Sequence, residues 1–275
     1  MKAVCQVCMH HCQLEEGQFG ICRARKNQDG KVVCENYGQV TSLALDPIEK
    51  KPLNMFRPGS MILSVGSYGC NLRCPFCQNY EISMEGEAEA ETLYISPQDL
   101  ADKALGCKDL GNVGVAFTYN EPLVGYEYVR DTAKLVKEAG MVNVLVTNGS
   151  AELEVLEEIL PYIDAMNIDL KGFTAEYYRK LGGDLKTVKA FIQRAAKDCH
   201  VELTTLIVPG ENDRMEDMEA EAEWIASVDE NIPLHVTRFF PRYHMTDREA
   251  TEVNEVYHLA DVARKYLKNV FEGNC

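Results

Sequence analysis

The chain is short of several features that would place it quickly. It has one tryptophan in 275 residues, and none of its apolar runs approaches the roughly 20 residues that a membrane-crossing helix needs. Its opening, MKAVCQVCMHHC, lacks the continuous apolar stretch of a secretory signal, so the expected location is the cytoplasm. Positive charge is scarce as well: 28 lysines and arginines face 43 acidic residues, a formal net charge of −15. A broad surface for nucleic-acid phosphates or anionic lipid is therefore not expected, and neither nucleic acid nor membrane is an expected partner. Internal repeats and low-complexity stretches are also missing.

Cysteine, by contrast, is plentiful. Eleven are present, and in a reducing compartment a chain of this size uses clustered cysteines as metal ligands more readily than as disulfides. Two groups have ligand spacing: Cys5, Cys8, Cys12 and Cys22, with Cys34 beyond them, and Cys70, Cys74 and Cys77. Cys107 and Cys199 fall within or at the ends of predicted helices and read as packing residues, while Cys275 is a terminal free thiol. Between the two groups, DPIEKKPLNMFRPGS carries Pro47, Pro52, Pro58 and Gly59, which break regular structure. This predicts a Cys-rich segment over 1–45, a linker over 46–60 and a main domain over 61–275.

With 46% hydrophobic residues the main domain can bury a substantial core. From Met61 onward, six short apolar runs read as buried strands: MILSVGS, VGVAFT, VNVLVT, AMNIDL, VELTTLIV and LHVTRFF. Helical patterns lie between them. Ser96, Pro97 and Asp99 form a capped start, Tyr126, Val129, Ala133 and Val136 share a face ended by Gly140, and further patterns follow Ser150, Asp184 and Asp213. A last helix is predicted from Thr251 to Leu267. The βαβα order gives a parallel sheet, and the pattern fits either a doubly wound sheet or a full or partial barrel.

The segment GCNLRCPFCQNY sets three thiols just after the first of these strands. Structural zinc uses paired ligands such as Cys-x2-Cys with a second pair elsewhere, and no nearby fourth ligand exists here. Iron–sulfur clusters take four cysteines, so three leave one iron open, and an open metal position is where chemistry occurs.

Cys-x3-Cys-x2-Cys, with Phe76 before the last cysteine, resembles the signature of the radical S-adenosylmethionine (SAM) superfamily. The resemblance implies a partial (β/α)6 barrel, a 4Fe–4S cluster on Cys70, Cys74 and Cys77, and SAM bound to the open iron. Reductive cleavage then gives methionine and a 5′-deoxyadenosyl radical. Thr118-Tyr119-Asn120-Glu121-Pro122 resembles the family's Gly-Gly-Glu-Pro element, which holds the SAM amino group, and implies roles for Asn120 and Glu121. Thr147-Asn148-Gly149 and Asp169-Leu170-Lys171 are similar to elements of glycyl-radical-enzyme activases that address the methionyl part of SAM and its carboxylate. Asp169 and Lys171, two apart on a strand, share a face and can enter one cavity. Val146 stands where activases carry an aspartate for a monovalent cation, so that cation is not expected.

Val208-Pro209-Gly210 and Phe240-Pro241-Arg242 also resemble family elements, and Thr204, Arg238 and Arg242 join the cofactor-side candidates. His235, among apolar residues of a buried strand, reads either as a hydrogen-bonded core histidine or as a catalytic one. At the N-terminus, Cys5, Cys8, Cys12 and Cys22 supply the four thiolates of a closed site, with His10, His11 and Cys34 to spare. Zinc and a second iron–sulfur cluster both suit them. So small a segment has too little core to fold without a metal.

The resemblance extends over most of the chain to the AmmeMemoRadiSam group, through DPIEKKPL, TYNEP, NIDLKGF, TTLIVPGEND and PLHVTRFFPR. The Val-Asp-Gly-Pro-Gly-Ile-Arg segment of true pyruvate formate-lyase activases is missing. The implied partners are a protein substrate or a small molecule, a reductant such as flavodoxin or ferredoxin, and Memo-like proteins. Against this stands a non-catalytic metal-binding adapter, which would have no need of Glu121, Asp169 and Lys171.

Overall fold

The structure is a computed structural model that describes residues 1–275. Eight strands make the main sheet: β1 Ser42–Pro47, β2 Met61–Gly66, β3 Asn112–Phe117, β4 Val142–Thr147, β5 Ala165–Asp169, β6 His200–Ile207, β7 Leu234–Arg238 and β8 Val270–Gly273. They lie side by side in chain order, β2 to β8 all parallel and β1 antiparallel to β2. The sheet does not close on itself, so β1 and β8 are free edges and the architecture is a partial barrel. The six strands from β2 to β7 are the six apolar runs read from the sequence.

Helices α1 Pro97–Gly106, α2 Tyr126–Glu138, α3 Leu153–Ile159, α4 Leu185–Ala195, α5 Met215–Asp229 and α6 Val253–Ala263 cover the outer face. Their starts follow local chemistry. Ser96 Oγ accepts the Asp99 N–H at 3.1 Å and Asp184 accepts the Thr187 N–H at 2.9 Å, each satisfying a donor the first turn leaves free. The α2 face (Val129, Ala133, Val136) packs on β3 and β4, and the α6 face (Val256, Leu259, Ala263) on β7 and β8, in one continuous core that includes Val115, Phe117, Leu145, Leu234 and Val236.

Two strands of the main sheet were not foreseen. β1 ends in Pro47, which only an edge strand tolerates because it gives no N–H to the ladder, and β1 spans position 45/46, where the sequence suggested a boundary. The short β8 follows the last helix and reads as a tail until β7 pairs with it. Residues 46–60 likewise do more than connect. Ile48 and Leu53 pack on Ile62, Ala116, Val144 and Ala165 at the N-terminal end of the barrel. Buried Glu202 accepts the N–H groups of Asn54 and Met55 at 3.0 and 2.8 Å, and Asn167 donates to the Pro52 carbonyl at 2.8 Å. The prolines prevent regular structure, but the segment is the floor of the barrel.

On α5, Glu221 is 2% exposed and faces Thr205 of β6. The Thr205 hydroxyl is also 2.9 Å from the Leu170 carbonyl. Its one hydrogen serves one acceptor, so a protonated Glu221 that donates to Thr205 while Thr205 donates to Leu170 satisfies all three groups. Burial pushes the Glu221 carboxyl from 4.5 up to about 8. Between those values the folded chain keeps a proton that the unfolded chain has released, so stability falls as pH rises through that window. Glu221→Gln is expected to remove this slope. Urea unfolding at pH 5 and pH 9 should show the wild type losing on the order of 2–4 kcal/mol more than the variant; equal losses would refute the assignment.

Candidate active site

The loops at the C-terminal ends of β2, β3, β4 and β5 converge on one cleft of about 160 Å³, lined by Cys70, Cys74, Cys77, Asn120, Glu121, Thr147, Asn148, Asp169 and Lys171, among others. Parallel α/β folds place ligands at this end because every strand delivers a loop there. Nine of the residues proposed from sequence thus meet in one place.

The three thiols follow directly from β2. Cys74 is buried beside Leu72, Phe76, Tyr177, Val208 and Phe239, and Phe76 meets Phe239 edge-on at 6.4 Å. Cys70 Sγ accepts the Leu72 N–H at 3.4 Å and the Asn148 amide at 3.7 Å, the kind of donors that support a thiolate. Burial pushes the Cys74 thiol up to about 11 against the opposing pull of Lys171. A metal that binds the thiolate removes that proton. The Tyr177 hydroxyl, buried in the same cluster, has no partner within the chain. Three thiols, two sulfur-directed donors and an orphaned hydroxyl fit an iron–sulfur cluster with one open iron.

Glu121 is 3% exposed and ties two loops together. Its Oε1 accepts the Thr147 hydroxyl at 2.7 Å and the Leu123 N–H at 3.1 Å, and its Oε2 accepts the Asn148 N–H at 2.7 Å. Burial raises its carboxyl to about 7, although these bonds oppose the shift. Asn120 accepts the Ser67 N–H at 3.1 Å and donates to the carbonyls of Tyr68 and Gly69, both at 3.1 Å. Asn148 donates to Asn71 Oδ1 at 2.9 Å. In this structure Asn120, Glu121, Thr147 and Asn148 therefore fasten the cleft loops to one another.

Lys171 Nζ lies 2.8 Å from Asp169 Oδ2, and both side chains face the cleft. Burial opposes its charge, but Asp169 and Cys74 outweigh burial and raise its pKa, so the ammonium persists. A second cleft, about 610 Å³, adjoins the first through Asp169, Lys171 and Asn79. It holds Phe76, Thr204, His235 and Thr237 and opens between the edge strands, with Pro47, Glu49 and Asn54 on one side and Glu272, Gly273 and Asn274 on the other.

Two candidates lie elsewhere. Arg238 sits three residues after His235, so the strand's alternation turns it outward, where its Nε donates to the Thr251 carbonyl at 2.6 Å and its guanidinium covers Phe240. Arg242 is exposed on the loop beyond β7 and lines neither cleft. His235 is a hydrogen-bonded histidine of the barrel interior: Nε2 is 2.7 Å from Glu202 Oε2, and the ring faces the second cleft.

Sequence reading missed Glu202 and a group at Asp46. Burial works against the Glu202 charge, but His200, His235 and two backbone N–H groups outweigh it and hold the carboxyl at about 2. Its only signal was an acidic residue in the apolar run VELTTLIV. Asp46 accepts from Lys51 Nζ at 2.9 Å and the Tyr119 hydroxyl at 2.8 Å, while Lys51 sits over the Tyr119 ring at 4.6 Å. The DPIEKKPL stretch carried the signal without indicating the contact.

The model of the radical SAM superfamily matches residues 64–225. The chain belongs to the radical SAM superfamily. It is 37% identical over 99% of its length to an uncharacterized protein of Methanocaldococcus jannaschii, covering 81% of that protein. It is 27% identical to the pyruvate formate-lyase-activating enzyme of Clostridium pasteurianum, over 74% of this chain and 89% of that one. Among solved structures, a domain of pyruvate-formate lyase-activating enzyme from Bacteroides vulgatus matches with a TM-score of 0.52 at 19% identity, over 58% of this chain and 99% of that domain. Streptococcus suis SuiB, solved with S-adenosylmethionine bound, matches with a TM-score of 0.61 at 14% identity, over 78% of this chain and 52% of SuiB. These two structural likenesses establish the fold. The protein is thus a radical SAM enzyme of activase-like kind, and its cofactors are a 4Fe–4S cluster and SAM. No helix is long and apolar enough to cross a membrane.

Proposed function

We propose that Cys70, Cys74 and Cys77 hold the 4Fe–4S cluster at which SAM is reductively cleaved, and that the radical formed takes a hydrogen atom from a protein substrate, in the manner of glycyl-radical-enzyme activases. The observation that carries the reading is the unclosed barrel. The second cleft runs from Asp169 and Lys171 to the edge strands β1 and β8, and this opening offers an extended chain segment a way in.

Cluster and SAM, when bound, supply the 5′-deoxyadenosyl radical. The chain positions and shields. Lys171, kept cationic by Asp169, would meet the SAM carboxylate. The donors on Cys70 support the thiolate, and Glu121 with Asn120 and Asn148 holds the loops so that little reorganisation is needed when ligands arrive. Phe76, Tyr177, Val208 and Phe239 exclude water behind Cys74. A flavodoxin- or ferredoxin-like protein suits the role of reductant.

The experiment uses the iron- and sulfide-loaded enzyme without oxygen, with SAM, dithionite and extract of perdeuterated source cells divided by size. The expected result is deuterium in 5′-deoxyadenosine, read as a one-unit mass increase, with the protein fraction. Deuterium transfer from the small-molecule fraction alone would replace the protein substrate with a metabolite.

A further inference from the structure

We propose that Cys5, Cys8, Cys12 and Cys22 hold a second 4Fe–4S cluster, seated against the loop that carries Cys70. The site itself stands on the N-terminal residues alone; only its adjacency to another cluster rests on the assignment of Cys70, Cys74 and Cys77 given above.

The four cysteines are brought together and largely buried. Cys5, Cys8 and Cys22 are each 6 to 7% exposed, and none of the four is in a disulfide. The Cys5 N–H donates to the Cys12 carbonyl at 3.0 Å. Gly20 lies against two of the sulfurs: a Cβ there would be in van der Waals contact with Cys12 Sγ at 3.6 Å and Cys22 Sγ at 3.8 Å. Next to these same cysteines, His11 and Arg23 adopt left-handed backbone with φ of 40° and 63°. Residues other than glycine hold that conformation where the surroundings impose it, commonly at ligand sites.

The spare ligands have other work. Cys34 donates its thiol to Asn36 Oδ1 at 3.1 Å, His10 Nε2 bonds the Asn71 carbonyl at 2.8 Å, and His11 pairs with Glu152 at 3.2 Å. Four thiols remain as the donor set. A tetrahedral zinc with Zn–S bonds near 2.3 Å would draw its sulfurs to about 3.8 Å from one another. Here no three cysteine, histidine or carboxylate side chains converge on a point where one ion is held. The same is true of Cys70, Cys74 and Cys77. Thiols bound to the corners of a cube need not converge on one point, which favours a cluster at both places.

The two residues flanking Cys70 are both in contact with the N-terminal segment. Gly69 has φ of 89°, and a Cβ on it would lie 2.5 Å from the Cys22 carbonyl oxygen and 3.0 Å from the Ala24 Cβ. Asn71 is 1% exposed; its carbonyl accepts from His10, and its amide accepts from Asn148, which also donates to Cys70 Sγ. Cys8 pairs with Ala151 as an isolated bridge, beside the Ser150 carbonyl to which Asn71 donates at 3.4 Å. The N-terminal thiols are therefore joined to the Cys70 loop through two short connections. This placement suits one-electron entry. A low-potential iron–sulfur or flavin carrier protein gives up one electron, the N-terminal cluster takes it and passes the same electron inward, and no bond or proton changes hands.

The test removes the other site. The Cys70→Ala/Cys74→Ala/Cys77→Ala variant, purified and reconstituted without oxygen, should retain about half the iron and sulfide of the wild type and give a reduced-cluster paramagnetic signal. Replacing the four N-terminal cysteines by serine in that background should abolish both. Zinc in place of iron, or no metal in a variant whose circular dichroism matches the wild type, would overturn the proposal. Should the triple variant not fold, the wild type decides: about eight irons per chain support the second cluster and about four overturn it. Iron undiminished in the triple variant would instead sink the Cys70–Cys77 assignment, so the two failures are distinct. When both sites are reduced, the wild-type signal should be broadened relative to the sum of the single-site spectra; a simple sum would rule out the adjacency.

Discussion

Replacing Cys74 with alanine is expected to reduce 5′-deoxyadenosine formation from SAM and dithionite to the level of buffer alone. Three thiolates are the least that leaves one iron of a cube open, and two cannot retain the cube in place. The fold should survive, because the substitution removes a single sulfur from a cluster otherwise built of Leu72, Phe76, Tyr177, Leu181, Val208, Phe239 and Met245. Losing one small buried group costs on the order of 1–2 kcal/mol. The contrast is therefore between near-complete loss of activity and a thermal midpoint shifted by a few degrees. Cleavage of SAM at an undiminished rate by correctly loaded Cys74→Ala would remove Cys74 from the cluster.

Glu121→Ala should act by another route. Glu121 resembles a family residue expected to touch SAM, yet both its oxygens are occupied by Thr147, Leu123 and Asn148. Alanine leaves two backbone N–H groups and a hydroxyl buried without that acceptor, and each such group costs roughly 1–3 kcal/mol. Allowing for water entering the space, a loss of about 3–5 kcal/mol and a Tm lower by ~10 °C are expected. SAM affinity should fall as well, because Asn148 also steadies Asn71 and Cys70. Glu121→Gln keeps the shape and one acceptor oxygen and should recover part of the stability. A Tm within one degree of wild type for the alanine variant would show that the loops are held by other contacts.

The readings that succeeded from sequence were those written within a few neighbouring residues. The alternation of six apolar runs with helical faces, the cap at Ser96 and the helix that follows Asp184 need no knowledge of distant contacts. Each rests on local periodicity or local hydrogen bonding. Asp169 and Lys171 were legible for the same reason, since a spacing of two on a strand fixes a shared face. The outward turn of Arg238 follows from the same alternation once His235 is known to face inward.

Long-range pairing decided the rest. Glu202 is 148 residues from Asn54, and only the folded barrel shows that its carboxylate secures the proline-broken segment as a floor. Edge strand β1 is weakly patterned and ends in Pro47, and the four-residue β8 acquires its identity from β7. The opening between those edges, which sets what can reach Asp169 and Lys171, is a property of where the sheet stops. The sequence by itself determined the superfamily signature and the order of the elements, because both are encoded locally. Only the tertiary structure decided that Cys22 abuts Gly69, that Glu121 joins two loops and that the barrel stays open, because these depend on backbone groups far apart in the chain meeting at hydrogen-bonding and van der Waals distance.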